Sequence, residues 1–193
     1  MLFFNFSPLV YVDPIHANLT TLYAELMNDS LTEFVYQAQL GGLDYELYDC
    51  NDSIQLSISG FNHKIKELLN IIIDHMINIK IEVEQYFFSV KQSLQFFRRC
   101  VPSAMANSGL TYLTAEYDWN NNELLSCLND ITIHDVESFI TRILKRFYID
   151  SLMYGNLTKN QAIEYMTLVK QKFQEKSFYQ PLFPSMWFSQ RGL

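Results

Sequence analysis

The sequence predicts an α+β fold, an antiparallel sheet with helices packed on one face. Three observations carry this. Apolar residues recur at three- and four-residue spacing through most of the chain, which marks amphipathic helices. Around residues 43–59 the period changes to two, as in a half-buried strand. Glycine and proline are scarce, 6 and 5 in 193 residues, which favours long regular elements over a many-turned sandwich.

The elements follow in order. Residues 2–7, LFFNFS, read as a buried strand whose partners are not obvious within the next few residues. Asp13-Pro14 starts a helix: the aspartate can cap free N–H groups, and proline at the first helical position loses nothing. Ile15, Leu19, Leu22, Tyr23, Leu26, Met27, Phe34, Val35 and Ala38 share its apolar face. Gly41-Gly42 ends it, since a glycine can take the left-handed cap conformation. Two strands follow. Leu43, Tyr45 and Leu47 share one face of the first, and Ile54, Leu56 and Ile58 share one face of the second. Gln55, Ser57 and Ser59 point the other way, and Asn51-Asp52 supplies the turn.

From Asn62 the helical period returns, with an apolar stripe from Ile65 to Ile77. Another helix runs from about Glu82 until Pro102 interrupts it, and a further one covers roughly 103–115. Asn120 with Glu123, Thr132 with Asp135, and Thr158 with Gln161 have capping-box spacing and mark three more helix starts. Between the last two, FYIDSLMYG reads as a strand. The tail SFYQPLFPSMWFSQRGL loses helical periodicity and reads as a linker with aromatic anchors. The predicted organisation is one α+β domain over 1–176 and a linker over 177–193.

Charge is unevenly placed. Net charge is −7, and no lysine or arginine precedes Lys64. That stretch holds Asp13, Glu25, Asp29, Glu33, Asp44, Glu46, Asp49 and Asp52. Such a half repels phosphate backbones, so nucleic acid is not an expected partner. It reads as a solvated acidic face, or as a surface for a basic domain or a cationic peptide. Three cysteines, with no C-x-x-C pair, predict neither a disulfide framework nor a cysteine zinc site. A reducing, cytoplasmic compartment is expected. The run LLNIIIDHMINI is broken by Asp74 and His75 and is too short to span a bilayer, so no membrane partner is expected.

A search for chemistry gives no catalytic, cofactor-binding or metal-binding residue. His16, His63, His75 and His134 show neither H-E-x-x-H nor H-x-x-E-H spacing. Asp13 with His16 reads as a hydrogen bond at a helix start. His63 with Glu67 reads as a surface pair. His75 reads as a histidine at a helix boundary. Gly41-Gly42 lacks the lysine and the following helix of a phosphate cradle. Cys100 beside Arg98 and Arg99 has no partnered histidine to make it a nucleophile. The pairs Phe87-Phe88 and Phe96-Phe97 read as packing residues.

Taken together, SPLVYVDPIHANLTTLYAELMNDSLTEFVYQAQLGGLDYEL, LSISGFNHKIKELL, ITIHDVESFITRIL and YGNLTK resemble the third domain of the insulin-degrading-enzyme and nardilysin family. These are pitrilysin-type zinc metallopeptidases. The resemblance spans roughly Phe4 to Pro184 and rests on dispersed positions in matching order. It implies one of four related α+β domains, whose two halves enclose a chamber that captures peptides. The family's H-x-x-E-H helix belongs to the first domain and has no counterpart here. No catalytic or zinc residue of the family carries over, so the chain alone is expected to be inactive, with zinc implied only for the parent enzyme. The expected role is a non-catalytic part of the chamber wall, partnered by the other domains and by peptide substrates. The alternative is a stand-alone inactive module that binds a peptide or protein. The domain is expected to lack its N-terminal strands, and the isolated chain to self-associate through an open sheet edge and exposed apolar surface.

Overall fold

A computed structural model describes residues 1–7, 13–50, 53–79, 84–100, 119–144, 146–176 and 180–181, with positions 102, 103, 106, 109, 110 and 113. In chain order the elements are β1 (Leu2–Ser7), α1 (Pro14–Leu40), β2 (Leu43–Cys50), β3 (Ser53–Gly60), α2 (Asn62–Asn78), α3 (Glu84–Cys100), α4 (Asn121–Leu128), α5 (Ile133–Ile143), β4 (Arg146–Met153), α6 (Lys159–Lys176) and β5 (Gln180–Pro181). The expected turn at Asn51-Asp52 lies outside the described residues, as does most of the helix expected over 103–115. Described positions in that second stretch are helical.

The sheet order is β2-β3-β1-β4-β5. Strand β1, which has no evident partner nearby in sequence, takes the centre. It pairs antiparallel with β3, from Leu2 opposite Ile58 to Phe6 opposite Ile54. On its other side it pairs antiparallel with β4, from Leu2 opposite Met153 to Ser7 opposite Tyr148. The β2–β3 hairpin closes with Cys50 opposite Ser53. β5 adds a short parallel pairing to β4 inside the stretch read as a linker.

Alternation along the strands sets the core. Leu2, Phe4, Phe6, Leu43, Leu47, Ile54, Leu56 and Ile58 are buried on one face. They form one cluster with Leu19, Leu22, Tyr23, Leu26 and Met27 of α1 and Ile65, Leu69, Ile72 and Ile73 of α2. Phe6 also meets Phe173 of α6, with ring centroids 5.7 Å apart. Burying one such side chain contributes about 1.5–3 kcal/mol. Ser53 and Ser57, on the other face of β3, are also buried. β3 is an interior strand, so its flanking strands shield small side chains on both faces.

Polar ties fix the helices to one another. Asn18 is fully buried on α1 and donates to the Leu124 carbonyl of α4 at 2.7 Å. The Lys172 ammonium of α6 meets Asp74 of α2 at 2.7 Å, and Lys66 of α2 pairs with Glu164 of α6. Lys91 of α3 donates to the Asn129 and Ile131 carbonyls at 2.8 and 2.7 Å, beside the end of α4. A cation there satisfies carbonyls that the helix leaves without partners.

Candidate functional site

The second face of the sheet carries the polar residues that alternate with the core. Strand register arranges them in rows. One row runs Glu46, Ser57, Phe3, Leu152, and the next runs Tyr48, Gln55, Asn5, Asp150. Tyr154, just past β4 and beside Met1, stacks on Phe3, 6.0 Å between centroids. A shallow groove of about 370 Å³ lies across the middle, lined by Phe3, Asn5, Gln55, Asp150, Ser151 and Leu152.

The groove is rich in acceptors. Asn5 Oδ1 is buried and has no hydrogen-bond partner. A buried acceptor left unpaired costs about 1–3 kcal/mol. Asp150 stands beside Asn5 across the β1–β4 pairing. Its carboxylate accepts a hydrogen bond from Tyr148, and that bond together with its charge holds the Tyr148 hydroxyl above its ordinary pKa. The ion pairs of the described residues all lie elsewhere. The groove thus offers a carboxylate, amide side chains and an apolar rim. Its lining has no histidine or cysteine, and its chemistry is that of contact.

A second acidic cluster lies between α1 and β2. Thr21 donates to Asp49 at 2.6 Å. The Glu25 carboxyl is pushed above its usual range by partial burial first, then by the charges of Asp49 and Asp29.

The residues singled out in the sequence fall as follows. Asp13 caps α1: its Oδ1 accepts from the His16 backbone N–H at 2.7 Å and meets His16 Nδ1 at 2.8 Å. Partial burial opposes its charge, but the two His16 hydrogen bonds and the histidine charge outweigh it and hold the Asp13 pKa below the usual value. Glu67 pairs with Lys64 at 2.8 Å, not with His63, because the flexible ammonium one turn away reaches it. His75 lies in the last turn of α2, its ring 4.7 Å from that of Phe34. Gly42 takes φ 77°, the left-handed conformation of a helix stop. The side chains of Arg98, Arg99 and Cys100 lie outside the described residues. The groove itself went unnoticed in the sequence. Its only local signal was the alternation of Phe3 and Asn5 with buried neighbours, and the partners that make a groove of them lie on β3 and β4.

Comparison with known proteins gives this architecture its relatives. Human insulin-degrading enzyme is 39% identical over 184 residues, covering 93% of this chain and 18% of that protein. A nardilysin-like protein of Arabidopsis thaliana is 30% identical over 156 residues, covering 79% of this chain and 15% of that one. Among solved structures, pitrilysin superposes with a TM-score of 0.77 over 90% of this chain and 19% of its own, at 15% identity. The ferredoxin protease FusC, solved in complex with Arabidopsis ferredoxin, superposes with a TM-score of 0.59. The chain therefore spans about a fifth of the length of these relatives. The profile of the middle or third domain of peptidase M16 matches residues 1–127. With the shared fold and that level of identity, the chain belongs to the M16 peptidase family, as a middle domain of the insulin-degrading-enzyme type.

Proposed function

We propose that this chain is a non-catalytic wall domain of a chamber-forming zinc metalloendopeptidase, and that the groove-bearing face of its sheet looks onto captured peptide. The observation that carries this is the groove on that face, which supplies acceptors and an apolar rim but no acid–base pair. The domain spans 1–176, where α6 ends, with β5 at Gln180–Pro181 still paired to its sheet; the rest of 177–193 leads toward a following domain. The other domains of the same peptidase are its partners. A reducing, cytoplasmic setting is supported by the three cysteines, which show no paired spacing.

The zinc of the parent enzyme does not fit the donors described here. His16 is engaged by Asp13, His75 packs on Phe34, and Asp74 is held by Lys172. Among the described residues no three histidine, cysteine or carboxylate side chains converge as a metal needs. Hydrolysis is assigned to another domain, and this chain contributes shape and contact.

A chimera tests the proposal. The matching segment of human insulin-degrading enzyme is replaced by this chain, and peptide hydrolysis is compared with that of the same enzyme lacking the segment. The expected result is chelator-sensitive hydrolysis by the chimera and none by the deletion. A deletion that keeps full activity, or a folded chimera that captures no peptide, would overturn it.

A further inference from the structure

We infer that one side of α1 guards the free edge of the sheet, with Asn28 as its plug, and keeps β2 from pairing with a second copy of this chain. β2 is the last described strand on its side, so one row of its backbone groups points away from β3. The hairpin identifies that row. Cys50 stands opposite Ser53 with two residues between them, and the pair closing such a loop bonds across the hairpin. Backbone direction alternates along a strand. Cys50, Tyr48, Glu46 and Asp44 therefore bond to β3, while Asp49, Leu47, Tyr45 and Leu43 present their N–H and C=O groups to the edge. The close approach at Leu43 agrees: a Cβ on Gly60, its partner, would lie 2.9 Å from Leu43 Cα, and pairs without mutual hydrogen bonds lie closest.

In the middle of that row Asn28 Nδ2 donates to the Leu47 carbonyl at 2.7 Å. The Tyr45 hydroxyl donates to the Asn28 carbonyl at 3.3 Å, and Thr21 donates to Asp49 at 2.6 Å. Thr21 and Asn28 are two helical turns apart on one side of α1, so the helix runs along the edge and holds it at both ends. A strand arriving beside β2 needs the Leu47 carbonyl as an acceptor and has to displace Asn28 first. When two copies pair, that bond is lost in each. Charge opposes the pairing as well. Asp44, Glu46 and Asp49 lie along β2, and a second β2 would bring the same acids alongside them, where like charges destabilise a strand pair. The open edge expected from the sequence is thus closed at β2.

Amide hydrogen exchange on the 193-residue chain, read residue by residue at low and at high protein concentration, tests this. In the wild-type chain the Tyr45, Leu47 and Asp49 N–H groups should exchange equally at both concentrations. Asn28→Ala should gain protection at those three positions at the higher concentration, with self-association about tenfold stronger by sedimentation, the worth of one hydrogen bond in each of two chains. Should Asn28→Ala unfold, Asn28→Ser takes its place with the same expected gain, since its hydroxyl is too short to reach Leu47. Adding Asp49→Pro removes one edge-facing N–H and should return either variant to wild-type behaviour. Wild-type edge N–H groups that gain protection with concentration would overturn the inference. So would a folded Asn28 variant that gains none, or a gain that survives Asp49→Pro and so comes from loosened packing.

Discussion

Gly60 shows how one residue holds a corner of the fold. It ends β3 at φ 132°, a conformation closed to most side chains. A Cβ there would lie 2.4 Å from the Gly42 carbonyl and 2.8 Å from Leu43 Cδ2. Gly41 is different: its φ is −83°, and a Cβ would sit 3.2 Å from the Ala38 carbonyl. Gly60→Ala should therefore cost more than about 2 kcal/mol, and Gly41→Ala clearly less. Urea unfolding of both variants measures the difference, and equal losses would count against the steric account. The Gly41-Gly42 pair was legible in sequence as a helix stop. The strain at Gly60 was not, because it arises from the hairpin bringing β3 back against Gly42 and Leu43.

At the scale of elements, helix starts were the most legible feature. Thr132 Oγ1 accepts from the Asp135 N–H, and the Thr132 N–H donates to Asp135 at 2.8 Å. At α4 the Asn120 N–H donates to Glu123 while the Asn120 side chain accepts from the Asn122 N–H, and Thr158 with Gln161 completes the full exchange at α6. These bonds span two or three residues, so spacing alone reveals them. The Asp135 carboxyl is held below its usual pKa chiefly by the Thr132 hydroxyl, then by the Thr132 N–H. Thr132→Ala should destabilise the protein by about 1 kcal/mol and raise the Asp135 pKa. Chemical denaturation reads the first and carbon-detected NMR titration the second; an unmoved Asp135 pKa would remove the hydroxyl from the account. The polar parity of β3 does not mean exposure. Ser53 and Ser57 are polar but buried, since an interior strand shields both of its faces.

Over the whole molecule, charge segregation has a cost that the contact between α1 and β2 makes visible. Glu25 and Asp29 are one helical turn apart, and Asp49 of β2 faces Glu25. The folded-state pKa of Glu25 lies above its unfolded value, so its ionisation works against folding. The penalty is absent below the unfolded carboxylate range and sets in as pH rises through the folded pKa. Glu25→Gln should raise stability at neutral pH by about 0.2–0.5 kcal/mol, a modest gain because the group is partly exposed. That gain should vanish below about pH 4, where the glutamate is protonated. Urea midpoints at both pH values decide it, and a gain undiminished at the lower pH would assign the effect to something other than charge.

The sequence by itself determined the α+β class, the helix starts, the hairpin and the buried face of its two strands. Each of these depends on residues a few positions apart, linked by the helical or strand period. The kinship of the chain was legible too, because it is carried by many dispersed side chains in order. Only the tertiary structure decided the central place of β1, whose partners β3 and β4 come from distant parts of the chain. Only it set Asn5 between Gln55 and Asp150 and left its oxygen buried and unpaired. The physical reason is that an antiparallel sheet makes neighbours of residues far apart in sequence, and a groove on its face exists only once three strands are in register.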